Sequence, residues 1–440
     1  MSRVTDKITS HDFVKLLSDK PYAFFLLSVI FSQVAFNMMN IVLIFIVFNL
    51  TSSNFLVSMI LLISLLPQVM LSFIGGIVAD TGNKKNILEY GNFGRALFVF
   101  PLIFLNSALA AVYFLALLTS IATQFYLPAE TPIIPKIVPE SLLVPANSLF
   151  GLALFGSILI GYVIAGPALL ALGNSYVFAL ISSLFLMAAF FAYLIPKHSL
   201  LIKLDISRRK TVSTEVRDSF KQYLFDTYKL LGQTKDVAPS FILLVVSQVV
   251  VMVLAIIIPG YAKNILQIEV ENVSLLLFAP AALGMIVSAY LVGTVLKNAN
   301  RNKLMNTGVF LSAIILLLFP AMAKVTSREV VVVINAFLPQ ILKINVLHMV
   351  VVLSFLAGVG NAFIFIPAQT TIQEKIPENF RSKMYGLLFA FIGLFSLLPI
   401  ILVGGLADVV GVNFVLILMG LLILIGGIFQ MIFMRIVSKR

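Results

Sequence analysis

Residues 127–140 read LPAETPIIPKIVPE, and residues 366–378 read IPAQTTIQEKIPE. Pro128, Ala129 and Thr131 return as Pro367, Ala368 and Thr370 at a constant offset of 239, and Lys136 and Ile137 return as Lys375 and Ile376 at the same offset. Pro139 and Glu140 come back one residue early, as Pro377 and Glu378. A phrase repeated at about half the chain length marks two copies of one building block. What surrounds the two copies says what kind of block it is.

The chain of 440 residues is 60% hydrophobic and only 11% charged, with a mean hydropathy of +1.09. A soluble protein carries about 25% charged residues, so this chain has too few to cover a surface facing water. It reads as an all-α polytopic membrane protein, because a bilayer leaves no water for open backbone groups and spanning segments must satisfy their own. No short signal peptide stands apart at the start. The net charge of +12 does not indicate nucleic-acid binding, since the basic residues sit between apolar runs and no soluble region is large enough to present a face. The chain has no cysteine, which excludes thiol chemistry and cysteine-ligated metals. His11, His198 and His348 are too scattered to form a ligand set, and no cofactor is implied.

Apolar runs place twelve helices near 22–48, 54–79, 87–106, 109–129, 146–170, 175–195, 240–262, 272–296, 303–323, 346–368, 384–406 and 411–434. The organisation expected is a cytoplasmic segment 1–21, a six-helix half 22–195, a linker 196–239, a second six-helix half 240–434 and a tail 435–440. With the N-terminus inside, the segments on the inner side hold 25 of the 30 basic residues, nine of them between Lys197 and Lys235. That asymmetry predicts both termini in the cytoplasm. Each copy of the repeated phrase closes the fourth span of its half, where its prolines are expected to end the helix and stiffen the turn. Two parallel six-helix halves suit a rocker-type carrier with a path between them. In the linker, VRDSFKQYLFDTYKLL at 216–231 reads as an amphipathic helix along the inner face. VVVVINAFLPQIL at 331–343 is too short for a further span and reads as interfacial or re-entrant.

Span 2 ends in GGIVADTGNKKN, residues 75–86. Gly76, Asp80, Lys84 and Lys85 resemble the loop signature of the major facilitator superfamily, with Thr81 and Asn83 departing from it. The resemblance implies that fold, with twelve transmembrane helices in two halves, and assigns these four residues to a gate. In the second half GTVLKNANRNK at 293–303 is a worn counterpart, with Lys297 where the acidic residue belongs. LVPANSLFG at 143–151, QEKIPENFRSKMYG at 373–386 and GGLADVVG at 404–411 resemble the macrolide-efflux and siderophore-exporter branch. On that likeness Gln373, Pro377, Arg381 and Gly386 form a cytoplasmic turn concerned with gating or folding. GSILIGYVIAGPALLALG at 156–173 resembles the superfamily's antiporter motif through Gly161, Gly166 and Pro167, though Leu170 replaces a small residue. Physically, Gly156 and Gly161 permit close packing and Pro167 favours a bend.

Polar side chains inside spans are costly and mark a path. Gln33 and Asn37 share one face of span 1, with Asn40 beyond them; Gln124, Gln248 and Asn361 belong to the same class. Arg95, eight residues into span 3, is expected to find a structural or gating partner, Asp80 or Glu89, or else to meet substrate. No acidic residue lies deep in a span, so Glu130, at the inner end of span 4, is the candidate for proton coupling. The expectation is therefore a secondary transporter in a prokaryotic cytoplasmic membrane, acting as a monomer. It would exchange protons for a small hydrophobic or amphipathic compound such as a macrolide-like drug. A siderophore or lysolipid exporter remains open, as does a passive facilitator, channel or scramblase. The absence of a Walker signature argues against an ATP-driven pump. GVG at 358–360 lacks the last glycine of a dinucleotide fingerprint, no hydrolase constellation is present, and an enzyme is not expected.

Overall fold

The computed structural model of the chain describes residues 10–130, 133–139, 142–196, 237–296, 299–325, 346–376 and 378–438. Among these residues every regular element is helical. The first part of the chain gives α1 (Ser10–Ser18), α2 (Lys20–Thr51), α3 (Asn54–Thr81), α4 (Lys84–Val99), α5 (Leu102–Leu105), α6 (Leu109–Glu130), α7 (Ile134–Ile137) and α8 (Leu143–Leu194). The second part gives α9 (Val237–Tyr261), α10 (Ala279–Gly293), α11 (Arg301–Val325), α12 (Val346–Lys375), α13 (Glu378–Val410) and α14 (Val412–Ser438). Eleven helical segments among the described residues are long and apolar enough to cross a membrane. One of them, α8, is two helices joined at Gly173, whose φ of 75° and ψ of 174° fall where only glycine is comfortable. Gly411, at φ 87°, makes the joint between α13 and α14. The sequence places boundaries near both points.

The surface confirms what composition implies. On α14, Leu422, Ile425, Phe429 and Ile432 are all exposed, and their spacing puts them on one stripe of the helix. Phe104 and Tyr290 are exposed elsewhere to the same degree. In water such surfaces would drive association; against lipid tails they are at rest. This is a multi-pass membrane protein.

The chain divides into two compact units, one of Met1–Leu50 with Ile60–Ile206 and the other of Thr51–Met59 with Ser207–Arg440. In the first, α4 packs against both α6 and α8, around a core that includes Tyr22, Phe25, Tyr126, Ile134 and Phe150. Tyr22 donates its hydroxyl proton to Ala146 O at 2.6 Å, and Phe25 stacks on Phe150 with ring centroids 5.9 Å apart. In the second unit α12 packs against α9, α10 and α11, and Phe241, Ile364, Ile372 and Met384 share the core. A Cβ on Gly358 would run into the Ala281 backbone, and one on Gly284 into the Phe355 backbone. The glycine-rich stretch 358–360 therefore serves helix packing, at contacts too close for any side chain.

Two expectations need correction. Pro128 and Pro367 do not end their helices; they lie inside α6 and α12, two and eight residues before the last turn closes. A proline frees the carbonyl four residues back, and for Pro128 that is Gln124, whose backbone oxygen is met by the tightly packed Gly75. Nor does Gly156 mediate close packing: a Cβ there would meet nothing within 4 Å. The amphipathic linker segment at 216–231, the stretch 331–343, Lys297 and Pro377 lie outside the described residues.

Candidate functional site

A buried polar cluster of the first unit is built on three helices. Glu130 is the last residue of α6 and is 3% exposed. Four residues earlier, on the same face, Tyr126 donates its hydroxyl proton to Glu130 Oε1 at 2.9 Å. From α2, Gln33 Nε2 approaches both carboxylate oxygens at 3.4 Å. Those contacts are long for hydrogen bonds, so Tyr126 makes the firm one.

Arg95 projects from α4 and is 1% exposed. Its Nη2 donates to Asn92 Oδ1 and Ser32 Oγ at 2.5 and 2.9 Å, and its Nε reaches Gly91 O at 3.4 Å. The guanidinium carbon lies 3.9 Å from the Tyr126 ring centre and 4.8 Å from that of Phe185. Desolvated cation–π contacts of this kind contribute about 2 kcal/mol. Glu89, one of the two expected partners, makes no bond to Arg95, and the Asp80 side chain lies outside the described ones. Glu89 is six positions back, about 120° around the helix, and faces a shallow groove with Tyr90, Phe93 and Tyr193. Arg95 and Glu130 make no direct ion pair; the arginine's hydrogen bonds go to uncharged groups, and Tyr126 touches both, with its ring against the guanidinium and its hydroxyl on the carboxylate.

The structure thus gathers Gln33, Arg95 and Glu130 from the sequence candidates and adds Tyr126, Asn92 and Ser32. The helical offset Asn92 to Arg95 carried a signal; Tyr126 and Ser32 had none beyond their places before Glu130 and Gln33. Asn37 adjoins the cluster, donating to Gln33 O at 2.7 Å. It is also the side chain nearest Gly161, where a Cβ would stand 2.8 Å from Asn37 Cβ, 3.0 Å from Val34 O and 3.1 Å from Met38 N. Asn40 is half-buried on α2. Gln124 is buried but bonds back to Ser120 O at 3.3 Å. Gly166 and Pro167 lie inside α8, six or more residues ahead of the Gly173 break. Gln248 and Asn361 are half-buried on α9 and α12 of the other unit. The repeat assigns Gln369 to the place of Glu130, so only the first copy carries a carboxyl group there.

Of the loop signature, Gly76 and Asp80 lie on α3. Lys84 and Lys85 are both buried and end two helices. Lys84 Nζ donates to Ala79 O at 2.8 Å, near the close of α3, and Lys85 Nζ donates to Tyr193 O at 2.6 Å, at the close of α8. Ammonium groups at helix C-termini satisfy orphan carbonyls and complement the dipole. Lys136 of the repeated phrase lies beside this turn: burial, and then the charge of Lys84, hold its ammonium below the usual lysine range. In the second unit, Gln373 is exposed near the end of α12, and Arg381 and Gly386 lie on α13. Arg301 forms a bidentate ion pair with Glu374 at 2.7 and 2.9 Å, a partnership not foreseen from sequence.

A further constellation was also missed. Asp408, in the quoted GGLADVVG, accepts hydrogen bonds from the backbone N–H of Asn54 and Phe55 at 2.7 and 3.0 Å. It also accepts from Asn54 Nδ2 at 2.8 Å and from Ser53 Oγ. It caps the N-terminus of α3 from 354 residues away in sequence. Beside it a cavity of about 570 Å³ is lined by Asn54, Asn264 and Asn413 among others.

A sequence profile described as Major Facilitator Superfamily matches residues 25–339. A curated relative, an uncharacterized MFS-type transporter YfiS of Bacillus subtilis (strain 168), is 23% identical over 405 residues, covering 89% of this chain and 88% of its own. Among solved structures, a POT family transporter in complex with a thioalcohol-conjugated peptide superposes with a TM-score of 0.70 at 12% identity, over 94% of this chain and 96% of that one. The nucleoside transporter NupG gives a TM-score of 0.68 at 12% identity, over 93% and 98%. At these identities the structural likeness speaks to the fold.

Proposed function

The chain belongs to the major facilitator superfamily, a family of membrane transporters and not of enzymes, and from that premise we propose that it is a proton-coupled exporter of a small hydrophobic or amphipathic compound, of macrolide-like character. It works by alternating access, as a monomer, in a prokaryotic cytoplasmic membrane. Its twelve crossings are counted with the two helices on either side of Gly173, and both termini face the cytoplasm, as the basic residues favour. The branch resemblance through LVPANSLFG and GGLADVVG supports an efflux role, and the span-5 motif of Gly161, Gly166 and Pro167 supports antiport.

One observation carries the coupling: a carboxyl group, Glu130, buried among uncharged hydrogen-bond donors and close to a buried arginine. Protonated, it is neutral and comfortable away from water. Ionised, it draws on Tyr126 and Gln33 as donors. A group balanced in this way can take a proton in one state of the carrier and release it in the other, which antiport requires. Gln369, at the matching place in the second copy, cannot do this. Gly76, Asp80, Lys84 and Lys85 are the inner gate, and Gln373, Pro377, Arg381 and Gly386 form a cytoplasmic turn of the second half concerned with gating or folding. Gln33, Asn37, Asn40, Arg95, Gln124, Gln248 and Asn361 are the polar contacts of the path.

The test is transport in sealed proteoliposomes of known orientation under an imposed pH gradient. The panel is a macrolide, a lipophilic cation, a siderophore and a lysolipid, widened by a dipeptide and a nucleoside because solved relatives of the same fold handle such cargo. Saturable uptake that follows the pH gradient for a hydrophobic compound supports the proposal. Flux indifferent to the gradient would replace it with a facilitator, channel or scramblase. Gradient-driven flux of the dipeptide or nucleoside alone would overturn the cargo class.

A further inference from the structure

Tyr126 holds an unusual place. Its ring lies against the Arg95 guanidinium at 3.9 Å, while its hydroxyl donates to Glu130 at 2.9 Å. It is fully buried, and α4 makes room for it at Gly91, where a Cβ would stand 3.3 Å from Tyr126 Cβ. The charged and titratable groups that face Glu130 are Arg95 from α4 and Tyr126 from its own helix, with Gln33 of α2 as the remaining polar neighbour.

An arginine in direct contact with a carboxylate holds it ionised, because the opposite charge favours the charged form. Such a pair is a fixed structural bond and a poor proton carrier. A carboxyl group with no positive charge nearby, in an apolar site, stays protonated and is equally idle. The cluster sits between these limits. Arg95 is close enough to be felt, is occupied by Ser32, Asn92 and Gly91, and shares with Glu130 the contact to Tyr126.

We propose that Tyr126 is a positioning residue that spaces Arg95 from Glu130, so that Glu130 exchanges its proton instead of locking into an ion pair. This deepens the reading of Glu130 as the coupling site and rests on it. The ring and the hydroxyl have separable tasks. The ring is the spacer; the hydroxyl stabilises the ionised carboxylate by one hydrogen bond. Deleting only the hydroxyl, in Tyr126→Phe, takes a donor from the carboxylate, and deleting the ring, in Tyr126→Ala, lets Arg95 close on it. The two variants therefore move the proton equilibrium of Glu130 in opposite directions.

The experiment needs no substrate. The purified full-length protein is reconstituted in phosphatidylethanolamine–phosphatidylglycerol nanodiscs, and proton uptake is followed by infrared difference spectroscopy of the carboxylic C=O band across a pH titration. A band present in the wild type and missing in Glu130→Gln identifies Glu130. The expected result is a midpoint shifted upward by roughly half to one pH unit in Tyr126→Phe, the worth of one hydrogen bond, and shifted downward by about one unit or more in Tyr126→Ala. If Tyr126→Ala fails to fold, Tyr126→Leu, which also removes the ring but keeps apolar volume, takes its place and is expected to shift the midpoint downward. Midpoints unchanged in the folded variants, or moving the same way in both, overturn the spacer role while Glu130 remains a proton site. A wild-type spectrum with no band that Glu130→Gln removes overturns the proton site itself.

Discussion

Gly161 and Gly156 lie five residues apart in the same span, and the structure gives them opposite requirements. A methyl group at Gly161 would stand 2.8 Å from Asn37 Cβ, 3.0 Å from Val34 O and 3.1 Å from Met38 N. Carbon atoms settle at about 3.5–4.0 Å, and two of the three obstacles are backbone, which cannot rotate away. Gly161→Ala must therefore push α8 from α2 by several tenths of an ångström, at a cost of about 1–3 kcal/mol. The better helix propensity of alanine returns about 0.8–1 kcal/mol, leaving a net loss of up to about 2 kcal/mol. Gly156→Ala meets no atom within 4 Å and keeps the propensity gain, so it is neutral or stabilising by up to about 1 kcal/mol. The pair can be compared by thermal unfolding of the purified protein in detergent, followed by tyrosine emission because the chain contains no Trp. Gly161→Ala is expected to lower the midpoint while Gly156→Ala holds or raises it. Equal losses in the two variants, or none at Gly161, would refute the packing argument.

Asp408→Ala removes a carboxylate that caps the first two N–H groups of α3, at an expected cost of about 1–2 kcal/mol, with Asp408→Asn costing about half; amide hydrogen exchange at Asn54 and Phe55 should accelerate in both, and unchanged protection would contradict the cap. The Arg301–Glu374 pair has side chains 41% and 54% exposed, so breaking it from either side should cost less than about 1 kcal/mol. A double-mutant cycle on unfolding midpoints measures that coupling, and a value well above this bound would mean the pair is shielded from solvent.

Much of the fold was legible because the bilayer imposes simple rules. Apolar run length gave the helices, and small polar breaks gave their ends, including the joint at Gly173 in a segment that otherwise reads as one helix. Pro128 and Pro367 misled, since a proline near the end of a buried helix can be kept inside it. Gly156 misled for a related reason: glycine spacing shows where helices can approach, and only the neighbouring helix shows where they do. In the site, Glu130, Arg95 and Gln33 could be named from polarity alone, because each is expensive in an apolar span. Tyr126 could not. Among 12 Tyr and 38 Phe, an aromatic residue in a membrane helix carries no mark of function until its ring is seen against a guanidinium. Asp408 was quoted within a motif, yet its partners at residues 53–55 lie far away in sequence, and no periodicity links them.

The most direct test of the central claim compares wild type and Glu130→Gln in proteoliposomes, using whichever panel compound the wild type carries. Two rates are measured: net transport driven by a pH gradient, and one-for-one exchange of labelled for unlabelled compound without a gradient. If Glu130 is where the proton binds, the variant loses gradient-driven transport by tenfold or more while exchange persists within about twofold. Gradient-driven transport that survives intact in Glu130→Gln would show that the proton travels elsewhere, and the account of this cluster as the coupling site would be wrong.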